Sequence, residues 1–66
     1  MQLNEILKTE RKNRKLTQQN MSELLNITRE AYAQYELGKN KPPIDALIKI
    51  ADSFNVSLDY LTGRYK

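Results

Sequence analysis

Sixty-six residues make one small domain, which at this size buries only about 60% of its unfolded surface, so oligomerisation is the available source of extra stability. The chain has no Cys and no His, which removes disulfides, thiolate chemistry, the commonest metal ligand and the commonest general base. The net charge is +3 with a pI near 9.3, and the whole excess belongs to residues 1–41, which hold eight basic and five acidic side chains against three of each in residues 42–66.

That asymmetry suits a polyanionic partner. The acids are scattered along helix surfaces beside Lys or Arg, and no Gly-rich phosphate loop appears, so neither an enzyme nor a metal, cofactor or small-molecule site is expected. No run approaches the roughly 18 apolar residues of a membrane span, and the amino end lacks the apolar core of a signal peptide. The expectation is a cytoplasmic protein, associated with the nucleoid, that has no membrane partner.

In chain order, Leu3, Ile6 and Leu7 recur at helical spacing and predict an amphipathic helix from about Gln2 to Asn13. It ends in the basic run Arg11-Lys12-Asn13-Arg14-Lys15, which reads equally as cations complementing the helix dipole and as phosphate contacts. A second helix follows. Thr17 stands at its N-cap, with Leu16 before it and Met21 spaced as a hydrophobic staple, and Met21, Leu24 and Leu25 form its core face. The same signature recurs at Ile27, Thr28 and Tyr32, so a third helix, 28–37, begins only a few residues after Leu25. Asn26 is left in the corner, where positive φ is needed and Asn tolerates it. Helix, tight corner and helix make the helix-turn-helix pattern, here over about 17–37.

Projected at about 100° per residue, the third helix gathers Arg29, Ala33, Leu37, Glu30 and Gln34 on an arc of roughly 140°, opposite Ala31, Tyr32 and Tyr35. Arg29, Glu30 and Gln34 supply donors and acceptors suited to base edges in a major groove: Arg29 a guanine, Gln34 an adenine, Glu30 a cytosine amino group. Gln18 opens the second helix, where unpaired N–H groups and the helix dipole favour a phosphate. Tyr32 is expected to bury its ring while its hydroxyl reaches a phosphate at the surface. Gly38 closes the third helix, and the loop residues Lys39 and Asn40 beside it are the further candidates for phosphate contact.

The stretch LTQQNMSELLNITREAYAQYELGKNKP resembles the helix-turn-helix of the Cro and phage-repressor type, the xenobiotic-response-element regulators. The resemblance covers almost the whole chain. It rests most specifically on Leu16-Thr17-Gln18, Tyr35-Glu36 before Gly38, Pro42, and Val56-Ser57-Leu58-Asp59-Tyr60-Leu61. The family usually has Ala where Ser22 stands and Gly where Asn26 stands. What the resemblance implies is a lambda-repressor-like DNA-binding domain and a small prokaryotic or phage transcription repressor. It also implies an ion pair of Arg11 with Glu36 bracing the first helix to the end of the recognition helix, Arg14 and Lys15 as candidate backbone contacts, and a Gln18 that touches the DNA backbone while steadying that helix.

Pro42 and Pro43 start a fourth helix, and Ile44, Leu47, Ile48, Ala51 and Phe54 give it one apolar face from about Ile44 to Phe54. Ile50 falls off that stripe. Asn55 stops the helix, and Val56, Ser57 and Leu61 staple and cap a last short one ending at Gly63. No strand pattern survives, so the fold class is all-α: a single domain, 1–66, built as a compact bundle of five short helices. Leu58, Tyr60, Tyr65 and Ile50 are left without obvious intramolecular partners and predict a self-complementary homodimer patch. Double-stranded DNA is thus the expected partner of a palindrome-binding homodimer. The alternative is a protein-binding module, such as an antitoxin with secondary DNA binding.

Overall fold

A computed structural model describes residues 2–63. They form five helices: α1 (Leu3–Asn13), α2 (Gln18–Leu25), α3 (Arg29–Leu37), α4 (Ile44–Phe54) and α5 (Leu58–Leu61), with no strand among the described residues. Side-chain hydrogen bonds mark the starts of α1, α2, α3 and α5, whereas α4 starts after Pro43 without one. The Glu5 carboxylate accepts from the Gln2 backbone N–H at 3.0 Å, and Thr17 and Asn20 cap each other reciprocally, at 2.9 and 2.8 Å. Thr28 and Ser57 hydroxyls accept from the N–H groups of Ala31 and Tyr60. Each cap satisfies one amide that would otherwise be unpaired at a helix start, a contribution of about 1 kcal/mol.

The corners are equally local. Asn26, at φ 58°, ends α2 and lets the Ile27 N–H reach the Ser22 carbonyl at 2.9 Å, which turns the chain sharply into α3. Ser22 is buried where α2 meets α3, and its hydroxyl donates to the Gln19 carbonyl at 2.8 Å, so a polar group costs little there. Asn55 repeats the left-handed stop after α4, at φ 56°. A third left-handed residue had no signal in the sequence: Lys15, at φ 58°, closes α1 while the Leu16 N–H returns to the Arg11 carbonyl at 3.1 Å. The staple of Leu16 on Met21 puts the α2 cap at Thr17, which leaves only Arg14 and Lys15 to make the turn.

The core joins Ile6 and Leu7 of α1, Met21 of α2, Tyr32 of α3, Leu47, Ile50, Ala51 and Phe54 of α4, and Leu61 of α5. All three staple residues, Leu16, Ile27 and Val56, pack against it.

The α4 face differs from the one expected. Ile50 is fully buried, whereas Ile44 and Ile48 are 56% and 46% exposed. Apolar residues cover more of this helix than the core can accept, and the row Leu47, Ile50, Ala51, Phe54 is the other i, i+3, i+4, i+7 set it offers. Arg14 packs on the end of that helix, where its guanidinium donates to the Phe54 carbonyl at 2.6 Å and lies 4.4 Å above the centre of the Phe54 ring.

Ile50 is therefore core and has no place in a dimer patch. Leu58 and Tyr60 also have intramolecular partners: both are half-buried against the core, and the Tyr60 hydroxyl donates to Glu10 at 2.6 Å. Tyr65, the remaining member of the expected patch, lies outside the described residues.

Candidate nucleic-acid interface

The recognition helix is fixed from beneath by an ion pair. Arg11 Nε donates to Glu36 Oε2 at 2.7 Å and Arg11 Nη2 to Glu36 Oε1 at 3.1 Å, a two-point contact between buried residues of α1 and α3. A third donor, Arg11 Nη1, reaches the Leu16 carbonyl at 2.8 Å, so the same guanidinium also pins the entry to α2. Gln18 Nε2 completes the set by donating to Glu36 Oε1 at 3.0 Å. One carboxylate thus gathers the end of α1, the start of α2 and the last turn of α3.

The electrostatics follow. Burial pushes the Glu36 carboxyl up, but the hydrogen bonds from Arg11 and Gln18, with the Tyr32 hydroxyl dipole close by, outweigh it and hold Glu36 below the ordinary glutamate range. Glu36 in turn raises the Arg11 pKa through its hydrogen bond. Tyr32 is driven well above the ordinary phenol range, first by burial and then by Glu36.

Tyr32 itself departs from the expected role. It is fully buried, and its hydroxyl is enclosed beside the Arg11–Glu36 pair without a hydrogen-bond partner of good geometry among the described residues. A tyrosine ring long enough to cross from α3 into the core ends inside it, packed edge-on against Tyr35 with ring centres 6.1 Å apart. No phosphate reaches that oxygen, so Tyr32 is part of the support beneath the helix.

The opposite face of α3 is open. Arg29 and Glu30 are exposed in its first turn, their charged ends 3.9 Å apart, and Gln34 is half-buried one turn further on. Leu37 completes this side, 64% exposed. Gly38, at φ 80°, ends the helix, and the N–H groups of Lys39 and Asn40 both turn back to the Gln34 carbonyl, at 3.0 and 3.4 Å. Main-chain bonds thus hold the exposed Lys39 and Asn40 beside the end of the reading face. A Cβ at Gly38 would lie in ordinary contact with the Asn4 side chain of α1, whose amide nitrogen is 3.4 Å away, so it is the positive φ that favours glycine there.

Arg14, a candidate backbone contact, faces elsewhere. It pairs with Glu10 and with the end of α4, so its charge is spent on joining α1 to the α4–α5 side. Glu10 is held below its ordinary range, by Tyr60 first and then by Arg14. The spacing of Glu10 and Arg14 on one helix was a readable sign of that pairing; the reach to Phe54, 40 residues away, was not.

No group of residues suited to hold a metal ion occurs among the described residues, and no helix there is long and apolar enough to cross a membrane.

Residues 7–61 match the family model described as helix-turn-helix. The chain is 56% identical over 57 residues to the HTH-type transcriptional regulator YqaE of Bacillus subtilis (strain 168), covering 86% of this chain and 49% of that one. It is 37% identical over 65 residues to the cryptic phage CTXphi transcriptional repressor RstR of Vibrio cholerae, covering 98% and 58%. The crystal structure of a transcriptional regulator from Listeria innocua superposes with a TM-score of 0.93 at 35% identity, over 98% of this chain and 61% of that one. The chain spans about half the length of the curated relatives it matches. With the braced α2–α3 pair, the caps and the corner at Asn26 all in place, the chain belongs to the helix-turn-helix family.

Proposed function

We propose that this protein is a sequence-specific double-stranded DNA-binding regulator, a repressor of the kind RstR is named for, acting in the cytoplasm on the nucleoid. The observation that carries this reading is the brace: Glu36 is held by three hydrogen bonds from Arg11 and Gln18 while Arg29, Glu30 and Gln34 stay outside, which presents a rigid polar helix face to a groove. Arg29 reads guanine O6 and N7, Gln34 reads adenine N6 and N7, and Glu30 accepts from a cytosine amino group.

Phosphates fix the register. Gln18 uses one amide hydrogen on Glu36, which leaves the second, together with the free N–H groups at the start of α2, for a phosphate. Lys39 and Asn40 take another near the far end of α3.

One recognition helix specifies too few base pairs to be found among roughly 10⁶–10⁹ competing sites, so two copies act together on an inverted repeat. Ile44 and Ile48, one turn apart on the exposed side of α4, supply the apolar surface for that pairing in place of Ile50.

Titration of random duplex DNA at two salt concentrations tests the reading. Affinity should fall steeply with salt, and Ile48→Glu should abolish two-to-one binding to an inverted repeat while leaving the protein folded. Salt-independent or undetectable DNA binding would remove the proposal and return a protein-binding module to first place.

A further inference from the structure

We propose that α1 and the turn that follows it carry a second DNA-contacting ridge, formed by Lys8, Lys12 and Lys15, which grips phosphates alongside the face of α3; this rests on the DNA-binding reading above. The structure divides the basic residues of this region into two sets. Both arginines are used internally, Arg11 on Glu36 and the Leu16 carbonyl, Arg14 on Glu10 and the Phe54 carbonyl. The three lysines are exposed and have no ion-pair partner among the described residues.

Their side of the molecule follows from the brace. The Arg11–Glu36 pair closes the seam between α1 and α3, with the core on one side of it and solvent on the other. On α3, Tyr32 lies on the core side of Glu36, and Ala33 and Arg29 lie on the solvent side. On α1, Ile6 and Leu7 lie on the core side of Arg11. Going the other way round that helix, at about 100° per residue, come Asn4, Lys8 and Lys12, at roughly 20°, 60° and 100° from Arg11. The solvent side of the seam is therefore shared by the reading face of α3 and the lysine row of α1. The Asn4 side chain against Gly38 fixes the same side independently, near the loop that holds Lys39 and Asn40.

Lys15 adds a separate observation. It sits at φ 58°, a conformation that glycine or asparagine adopts more readily, and two other helices of this chain stop on asparagine in that conformation. A lysine stands there despite the strain, two residues before the α2 cap and three before Gln18, where a phosphate bound at the start of α2 would meet its charge. Of the acids nearby, Glu5 is turned to the Gln2 amide, and Glu30 lies on α3 beside Arg29.

The experiment measures the salt dependence of binding to a random duplex by the wild-type protein and by Lys8→Gln, Lys12→Gln and Lys15→Asn, singly and together. Lys49→Gln is the control for net charge, because Lys49 lies on α4, beside a shallow pocket lined by Leu25, Ile27 and Tyr35, away from this seam. Each ridge lysine should lower the log–log slope by about 0.9, and the triple variant by about 2.7. The base preferences of the selected site should stay the same, since phosphates carry no sequence, and Lys49→Gln should leave the slope unchanged. A triple variant with the wild-type slope, or one no different from Lys49→Gln, would overturn the ridge while leaving the DNA-binding reading intact. A wild-type protein with no salt-dependent binding would instead remove the reading on which the ridge rests.

Discussion

Replacing Arg11 by Met keeps an unbranched apolar stem but removes the guanidinium that holds Glu36. Glu36 would remain buried with only Gln18 donating to it, and breaking a buried pair from one side costs ~3–5 kcal/mol. Arg11 is 8% exposed, so some water reaches the site and the lower end, about 3 kcal/mol, applies. A domain of 66 residues has a total stability of only ~3–10 kcal/mol, so Tm should fall by roughly 12–24 °C.

The pH dependence gives the loss a signature. In the wild-type protein Glu36 is held below its ordinary range, so the pair contributes fully above the unfolded glutamate pKa of about 4.3 and is lost as pH falls through the lower folded value. In Arg11→Met, burial faces less opposition and raises the carboxyl, so the deficit is largest at neutral pH and shrinks on acidification. The double variant Arg11→Met, Glu36→Leu should recover most of the lost stability, because no charge is then left buried. Urea denaturation at pH 7 and pH 4.5 measures all three. A loss under about 1 kcal/mol that is the same at both pH values would show that the pair behaves as a surface ion pair, and the brace would not be what fixes α3.

Two further outcomes test the fold. Lys15→Gly should raise stability by about 1 kcal/mol, seen as a Tm higher by several degrees, since the left-handed strain exceeds the entropy glycine loses on folding; no gain would mean that the turn holds lysine without strain. Ile50→Ala should cost ~2–5 kcal/mol in denaturant midpoint experiments, and Ile48→Ala only about 0.5, reversing the order expected from the apolar stripe read in the sequence.

The elements were legible because their signals are local. Thr17, Thr28 and Ser57 announce the starts of α2, α3 and α5 within four residues, and Asn26, Gly38 and Asn55 mark stops by the φ they tolerate. The expected bounds of α4, Ile44 to Phe54, coincide with those observed. What was not legible depends on residues far apart in the chain. Ile44, Leu47, Ile48, Ile50 and Ala51 allow more than one buried face, and which one is buried depends on how α4 packs against core residues of the other four helices. Tyr60 looked unpaired because Glu10, its acceptor, lies 50 residues earlier. Within the interface, the polar arc of α3 follows from helical periodicity alone, whereas the depth of Tyr32 depends on how closely α1 and α2 approach. The double use of Glu36 by Arg11 and Gln18 likewise needs all three helices in place.

Selection of binding sites from a random duplex library, with the wild-type protein and with Arg29→Ala, Glu30→Ala and Gln34→Ala, tests the central claim most directly. The expected result is an inverted repeat with half-sites centred about 10 base pairs apart, and one relaxed position for each variant, at a cost of ~1–3 kcal/mol confined to that base pair. Variants that weakened every duplex equally, or a wild-type protein that enriched no site, would contradict base reading by α3.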